Sequence, residues 1–541
     1  MVKEHLRTER IFLFISLFAI MIISSFWGKA KQGMFVDEIY SYGLANGYYT
    51  PFVKDIPKDK KLVNNILTQE DLEKYIFVSK DDAFSFDSVY YNQTQDVHPP
   101  LYYMLLHFIS SIFLGSSSKW LGLCINLILY FCTNLILYKL GCQILKNKKF
   151  SVCTVLVYGL SLGGLSTVLM IRMYSLLTFL TVCFAYCVIR LYKKEKFILY
   201  PLISLILFMG MFTQYYFVIF SFFISAIYCI NKLKKREYKY IIRYVIFTFM
   251  GLLCFYFVWP SIIDHLFADR LVSGTSAVHN LFDVKYIIRN IYTFIWLIVR
   301  ANKLILMVMM VFLILLVTQL KSTIKSWVQS FAEKDSAAII IALSVLLTVI
   351  LVAIISPVQE LRYLYNVLPM FVLVIIYFIE AVWYNTNFFI NIREKLQRGN
   401  CKILLCMVIV MIVVVAAVIS EPRYIYAEHK EYNRIIEEHK ELPCVYMDDN
   451  FAAPITQDLL QIKKFRNIFV TNDFLGNETE AYLNSFNNNG EVILYIDVDK
   501  FWSSGFDSKE ILNSILENTE YREYELLYKY GLTETYLLKK H

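Results

Sequence analysis

Six groups of polar residues interrupt an otherwise apolar sequence, and their residue types could support chemistry. They are Asp37-Glu38 in MFVDEIYSYG, Asp96 with His98 in QDVHPPLYY, Arg172 with Tyr174 in IRMYSL, Gln214 with Tyr215 and Tyr216 in TQYYF, Asp264 to Arg270, and Gln359-Glu360 with Arg362 and Tyr363 in QELRYLY. Adjacent carboxylates can supply a general base for an acceptor hydroxyl, or ligands for a divalent cation. An acidic pair in a loop is often no more than solvated surface. This one is embedded among Met34, Phe35, Val36, Ile39 and Tyr40, a setting that suits an interfacial helix and raises a carboxylate pKa toward useful values. Pro99 and Pro100 fix an extended entry and start a helix, leaving Asp96 and His98 at its mouth. His98 can donate to a phosphate or orient a carboxylate; Asp96 can equally cap the helix. Arg172 and Arg362 are permanent cations with forked donors suited to bidentate phosphate binding, and each is followed closely by a Tyr able to contact a sugar or an isoprenyl chain. A lone Arg at a span end can also simply snorkel.

The elements that must hold these residues are membrane helices. Of 541 residues, 57% are hydrophobic and 18% charged, against about 25% charged in an average soluble domain. With a mean hydropathy of +0.50 this excludes a soluble enzyme. Eleven stretches are long and apolar enough to cross a bilayer: 11–27, 120–141, 151–170, 174–191, 197–212, 215–230, 241–262, 304–320, 337–356, 364–384 and 402–420. The segments 99–115 and 286–300 are ambiguous. If neither crosses, twenty Lys and Arg residues of the short loops fall on one side, the cytoplasmic one. If both cross, eleven of them move outside, so the eleven-span arrangement is preferred and the two segments become interfacial helices. The net charge of +8 is therefore a topology signal, and no nucleic-acid partner is read from it. The first stretch follows Lys3, Arg7 and Arg10 without a small-residue cleavage site and is expected to be an uncleaved anchor. The eleven cysteines show neither a disulfide framework nor zinc-ligand spacing.

This topology puts all six polar groups on the outer rim. From Glu421 the composition becomes that of soluble protein, and the odd span count places this part outside. CVYMD (444–448), NIFVT (467–471), VILYID (492–497), YELLYKY and ETYLLKK read as strands, with helical patterns at 455–464 and 508–517. The expected organisation is thus an α-helical polytopic membrane module over 1–420, including an outer loop 28–119 with interfacial helices, and a small extracytoplasmic α/β domain over 421–541. No phosphate-binding Gly loop or paired His is visible in the latter, which suits packing or acceptor contact better than catalysis.

The order FVDEIYSYG, DVHPPLYY, IRMYSL, TQYYF and ELRYLYNVLP resembles the GT-C superfamily of membrane glycosyltransferases, in particular protein O-mannosyltransferases and the lipid A aminoarabinose transferase, glycosyltransferase family 39 and its bacterial relatives. The resemblance covers roughly 1–420. It implies transfer of a sugar from a polyprenyl-phosphate carrier to a lipid, glycan or protein acceptor of the cell envelope, at the outer face of what is expected to be a bacterial plasma membrane. It also implies that Asp37 is the catalytic base, with Glu38 supporting. Arg172, Arg362 and His98 are then candidates for the donor phosphate, and Asp96, Tyr174, Gln214, Tyr215 and Tyr363 for the rest of the substrate. Gln214 stands where many relatives have His, and a divalent cation stays open as a cofactor. A transporter or lipid-linked glycan flippase is the rival reading. It predicts charges at mid-depth and repeated halves, and neither is visible here. A sensor or scaffold with a ligand-binding outer domain is a third, and it would need no such polar set in the membrane part.

Overall fold

The computed structural model describes residues 2–57, 62–267, 284–301, 336–356, 358–385, 415, 417–448, 453–472, 477–484, 490–498 and 506–540. The expected spans 304–320 and 402–420 lie largely outside these residues, as do Arg270, Cys401 and Cys406. Cα packing divides the chain into two compact units, one of 1–29, 97–101 and 123–423, the other of 30–96, 102–122 and 424–541.

The first unit is helical. Its elements are α1 (Val2–Ala30), followed by helices that can be numbered on from the second unit's α2 (Val36–Asn46), α3 (Gln69–Ile76), α4 (Phe86–Gln95) and α5 (Leu101–Ile112): α6 (Lys119–Ile144), α7 (Lys148–Gly159), α8 (Leu162–Leu169), α9 (Tyr174–Lys193), α10 (Leu199–Met211), α11 (Phe217–Lys234), α12 (Tyr238–Val258) and α13 (Ile262–Phe267). Helices Val284–Ala301, Ser336–Ile355 and Leu368–Asn385 follow. Six of these are long and apolar enough to cross a membrane, and the α7–α8 pair, bent by 58°, makes a seventh if counted as one span. The chain is an integral membrane protein. The expected spans 197–212 and 364–384 appear as the shorter apolar helices Leu199–Met211 and Leu368–Ala381.

The bend in the expected span 151–170 has a local cause. Ser161 caps α8 by accepting from Gly164 N–H at 3.0 Å, and the Tyr130 hydroxyl enters the break to donate to Gly159 O at 3.1 Å. A Cβ on Gly164 would stand 2.4 Å from that hydroxyl, so only glycine admits it. Of the two ambiguous segments, α5 has 12 residues, about 18 Å, well short of a bilayer core of about 30 Å. Helix Val284–Ala301 carries Lys285, Arg289 and Arg300; it buries Asn290, Phe294, Ile298 and Ala301 at helical spacing and exposes Ile288, Tyr292, Ile295 and Trp296.

The second unit is built on a six-stranded sheet in the order β1-β3-β2-β4-β6-β5, with β1 Asn65–Thr68, β2 Cys444–Met447, β3 Asn467–Thr471, β4 Glu491–Asp497, β5 Glu523–Tyr530 and β6 Thr533–Lys539. The five expected C-terminal strands are all present. β3, β2 and β4 are parallel and buried on both faces, as continuous apolar runs such as CVYM require. One face packs Val445, Met447, Leu494 and Ile496 on Ile511, Leu512 and Ile515 of helix Ser508–Asn518. The unexpected member is β1, which comes from the first outer loop and pairs antiparallel with β3, Asn65 opposite Val470 and Thr68 opposite Asn467. The outer loop therefore packs with the C-terminal segment, because β1 completes its sheet and α2 packs on helix Ala453–Gln457.

A buried carboxyl knits the other face of this sheet. Asp458 accepts from the hydroxyls of Thr533 at 2.7 Å, Tyr446 at 3.0 Å and Tyr432 at 3.2 Å. Burial raises its pKa to about 6 although these donors oppose the shift. A raised carboxyl pKa stabilises the fold fully below the unfolded value near 4, and that contribution is lost as pH rises through 6. Between pH 4 and 6.5 the stability of the wild type relative to Asp458→Asn should therefore fall by about 2 kcal/mol, read from denaturant unfolding of the detergent-solubilised protein. A flat difference would refute this.

Candidate active site

In the first unit, the sequence-distant polar groups meet where helices break. The chain between α8 and α9 is held by Asn126, which is fully buried on α6 and donates to Val168 O at 3.0 Å and Met170 O at 2.7 Å. Ser175 Oγ donates to Thr167 O at 2.9 Å across the same break. This fixes Arg172, which is 6% exposed, with its Nη2 3.5 Å from His98 Nδ1. A guanidinium can only donate, so Nδ1 is the accepting nitrogen there. The His-Pro-Pro entry is held in turn by Leu101 N–H donating to Phe212 O at 3.1 Å, in the turn between α10 and α11 that carries Gln214. From that turn the Tyr216 ring lies 5.4 Å from Tyr363, in the 3-10 turn Leu361–Leu364. Arg362 stands 5.8 Å from the Tyr363 ring, and Tyr365 returns to Tyr174, edge to face at 5.9 Å. Four contacts joined by short stretches of chain thus link Arg172 to His98, Leu101 to Phe212, Tyr216 to Tyr363 and Tyr365 back to Tyr174, two residues from where they began.

Tyr215 is held by side-chain bonds of its own. Its hydroxyl accepts from Trp259 Nε1 at 2.9 Å and bonds His265 Nδ1 at 2.8 Å, so it braces the start of α13. Gln359 and Glu360 are also engaged: Gln359 Nε2 donates to Asn290 Oδ1 at 2.8 Å, and Glu360 pairs with Arg423 at 2.6 Å.

The second unit holds Asp37, Glu38 and Asp96. Glu38 is fully buried, and its Oε2 accepts from Phe35 N–H at 2.6 Å, closing the first turn of α2, and from Lys31 Nζ at 2.9 Å. Lys31 is equally buried. It also donates to Tyr424 O at 2.7 Å and lies 5.3 Å from the Tyr426 ring. Burial lowers the Lys31 pKa, and Glu38 opposes the shift. Gln32 N–H donates to Ile425 O at 2.8 Å beside this pair, and the Lys119 ammonium binds Lys31 O. Gly33 allows the His429 ring to pack: an added Cβ would fall 2.5 Å from Nδ1. Glu38 is thus a strut that fixes the helix start, and Asp37 beside it is half-buried.

Tyr40, one turn beyond Asp37, is hydrogen-bonded to Thr456 and held near pKa 12, first by burial and then by the charges of Asp37, Asp448 and Asp96. The charges of those three carboxylates thus all act on one hydroxyl. Among the described residues no group of three or more His, Cys, Asp or Glu is arranged to hold a metal ion. Lys31 reads in the sequence as a basic residue flanking a span, and Asp448 as the end of a strand. Tyr40 carries the one available signal, its i+3 spacing from Asp37.

No family model and no curated protein matches the chain. Among solved structures it is similar to ArnT from Cupriavidus metallidurans bound to undecaprenyl phosphate, with 9% identity, 97% of each chain covered and a TM-score of 0.52. The apo state of the same protein aligns with 9% identity, 97% of each chain and a TM-score of 0.50. The likeness is one of fold alone.

Proposed function

We propose that the chain is a GT-C-type glycosyltransferase that moves a sugar from a polyprenyl-phosphate donor to a hydroxyl of a cell-envelope acceptor. The observation that carries this reading is the run of contacts joining Arg172, His98, Tyr363 and Tyr174 at helix breaks, beside Arg362. The shared fold with a protein crystallised with undecaprenyl phosphate supports a lipid phosphate as the ligand. Arg172 and Arg362 hold the donor phosphate with His98 as an additional donor; Tyr174, Gln214 and Tyr363 contact the sugar or the first isoprenyl units. Asp96 binds the acceptor, and Tyr215 acts through its brace on α13.

In the reaction the acceptor oxygen attacks the anomeric carbon as the bond from that carbon to the phosphate oxygen breaks. Asp37 takes the hydroxyl proton, and polyprenyl phosphate leaves with the electron pair. One displacement inverts the anomeric centre through an oxocarbenium-like transition state. The charge that grows on the leaving phosphate is stabilised by cations already in place, which need no reorganisation as the bond breaks. The outer face of a bacterial plasma membrane is the proposed location, with the C-terminal unit on that side.

Arg172→Ala should weaken binding of undecaprenyl phosphate by roughly 10- to 100-fold, the loss of a charge-assisted contact. Thermal stabilisation of the purified protein by that lipid checks it, and an unchanged dose dependence would remove Arg172 from the site. The reading as a whole is tested by mass analysis of surface glycans after deletion of the gene. A transferase loses one sugar substituent, whereas a flippase loses a whole glycan class.

A further inference from the structure

The second unit carries more polar chemistry than a single base needs. α2 and α4 run antiparallel there: Ser88 Oγ donates to Gly47 O at 3.3 Å, Asn92 Nδ2 to Leu44 O at 3.2 Å and Gly47 O at 2.6 Å, and Asp96 at the end of α4 reaches the field of Tyr40. That register puts Gln93, next to Asn92 on the buried face, toward the Tyr40 end of α2. Gln93 is fully buried, and neither its amide oxygen nor its nitrogen has a hydrogen-bond partner among the described residues. An unsatisfied buried amide costs about 1–3 kcal/mol, so the position calls for a ligand group or water.

α2 also packs on helix Ala453–Gln457, which follows β2. β2 lies between β3 and β4, both parallel to it, so the chain leaves β2 first toward one side of the sheet and later toward the other. The carboxyl end of β2 is therefore the topological switch point, where open α/β sheets bind their ligands. Asp448 occupies that end, fully buried, its N–H donating to Thr471 O at 2.9 Å.

We infer that Asp37, Tyr40, Gln93, Asp96, Asp448 and Thr456 line the acceptor subsite, and that the acceptor presents there an uncharged, polyhydroxylated ring. The inference rests on the transferase reading above and names the acceptor class that reading leaves open. Carboxylates accept from sugar hydroxyls and repel a phosphate. Gln93 supplies both a donor and an acceptor to a ring that bears both. A divalent cation fits less well, since the described His, Cys, Asp and Glu residues form no group of three able to hold one. The C-terminal sheet thereby takes part in choosing the acceptor.

The test uses full-length protein and a deletion strain complemented with each variant. Asp448→Asn and Gln93→Leu should lower the transferred sugar on surface glycans by roughly 10- to 100-fold while leaving stabilisation by undecaprenyl phosphate intact. Gln93→Leu should unfold no more easily than wild type, because it removes an unsatisfied amide. That control separates lost recognition from lost folding. Normal glycan product from both variants overturns the subsite. So does transfer that is abolished by EDTA, restored by Mg²⁺ or Mn²⁺, and insensitive to both metals in Asp448→Asn, which would make the carboxylates a cation site. A wild type that neither binds undecaprenyl phosphate nor alters glycans on deletion overturns the transferase reading and the subsite together, and this result is distinct from a defect confined to the variants.

Discussion

Asp37→Asn should abolish sugar transfer, by about 10³-fold or more, while the protein still inserts, folds and binds undecaprenyl phosphate. The amide keeps the size of the side chain and loses only the capacity to take a proton, and a positioned general base contributes about 10²–10⁴-fold. The α2 start is tied by Glu38 to Phe35 and Lys31, and Ser41 Oγ donates to the Asp37 main-chain oxygen at 2.9 Å. Transfer measured in membranes of a complemented deletion strain decides the matter. Turnover within a few fold of wild type would take the base assignment away from Asp37.

The second large effect is on stability, and it concerns the neighbouring carboxylate. Lys31→Met leaves the Glu38 carboxylate buried without its cation, and Glu38→Leu strands Lys31 in the same way. Each should destabilise the protein by about 3–5 kcal/mol, because breaking a buried pair leaves one desolvated charge. The double variant Lys31→Met with Glu38→Leu should recover most of that loss, since replacing a whole buried pair by apolar groups is often neutral. Denaturant unfolding of the four proteins completes the cycle. If both single variants unfold like wild type, the pair is not the strut that its burial indicates.

The order of helices and the later strands were legible in the sequence because each is written locally. A run of twenty apolar residues has few alternatives to a membrane helix, and CVYM, NIFVT and VILYID are continuous apolar runs between turns. The break at Leu160-Ser161 was not legible as such, since no proline marks it and the cause is the Tyr130 hydroxyl arriving from another helix. β1 escaped notice for a similar reason. Asn65–Thr68 is four residues long and becomes a strand only on the edge of a sheet whose other strands begin at Cys444. At the candidate site, residue types alone singled out Arg172, His98 and Asp37. Lys31, Gln93 and Asp448 act through what they face, which spacing along the chain does not encode. The position of Tyr215 in TQYYF suits a ligand, and nothing in that motif announces that its hydroxyl bonds Trp259 and His265.

β1 also imposes an order on how the molecule is made. Its partner β3 is specified nearly four hundred residues later, after most of the helices, so at about 5–20 residues per second the ribosome needs on the order of 20–80 s to deliver it. For that interval a strand with open edges stands without the sheet it belongs to, a state prone to pairing with strangers. Its brevity and the acidic stretch QEDLE just after it keep it soluble while it waits. The proposed base is carried on the same early segment, and Tyr40 one turn beyond it can meet Thr456 only at the end of synthesis, so an incomplete chain has no finished second unit.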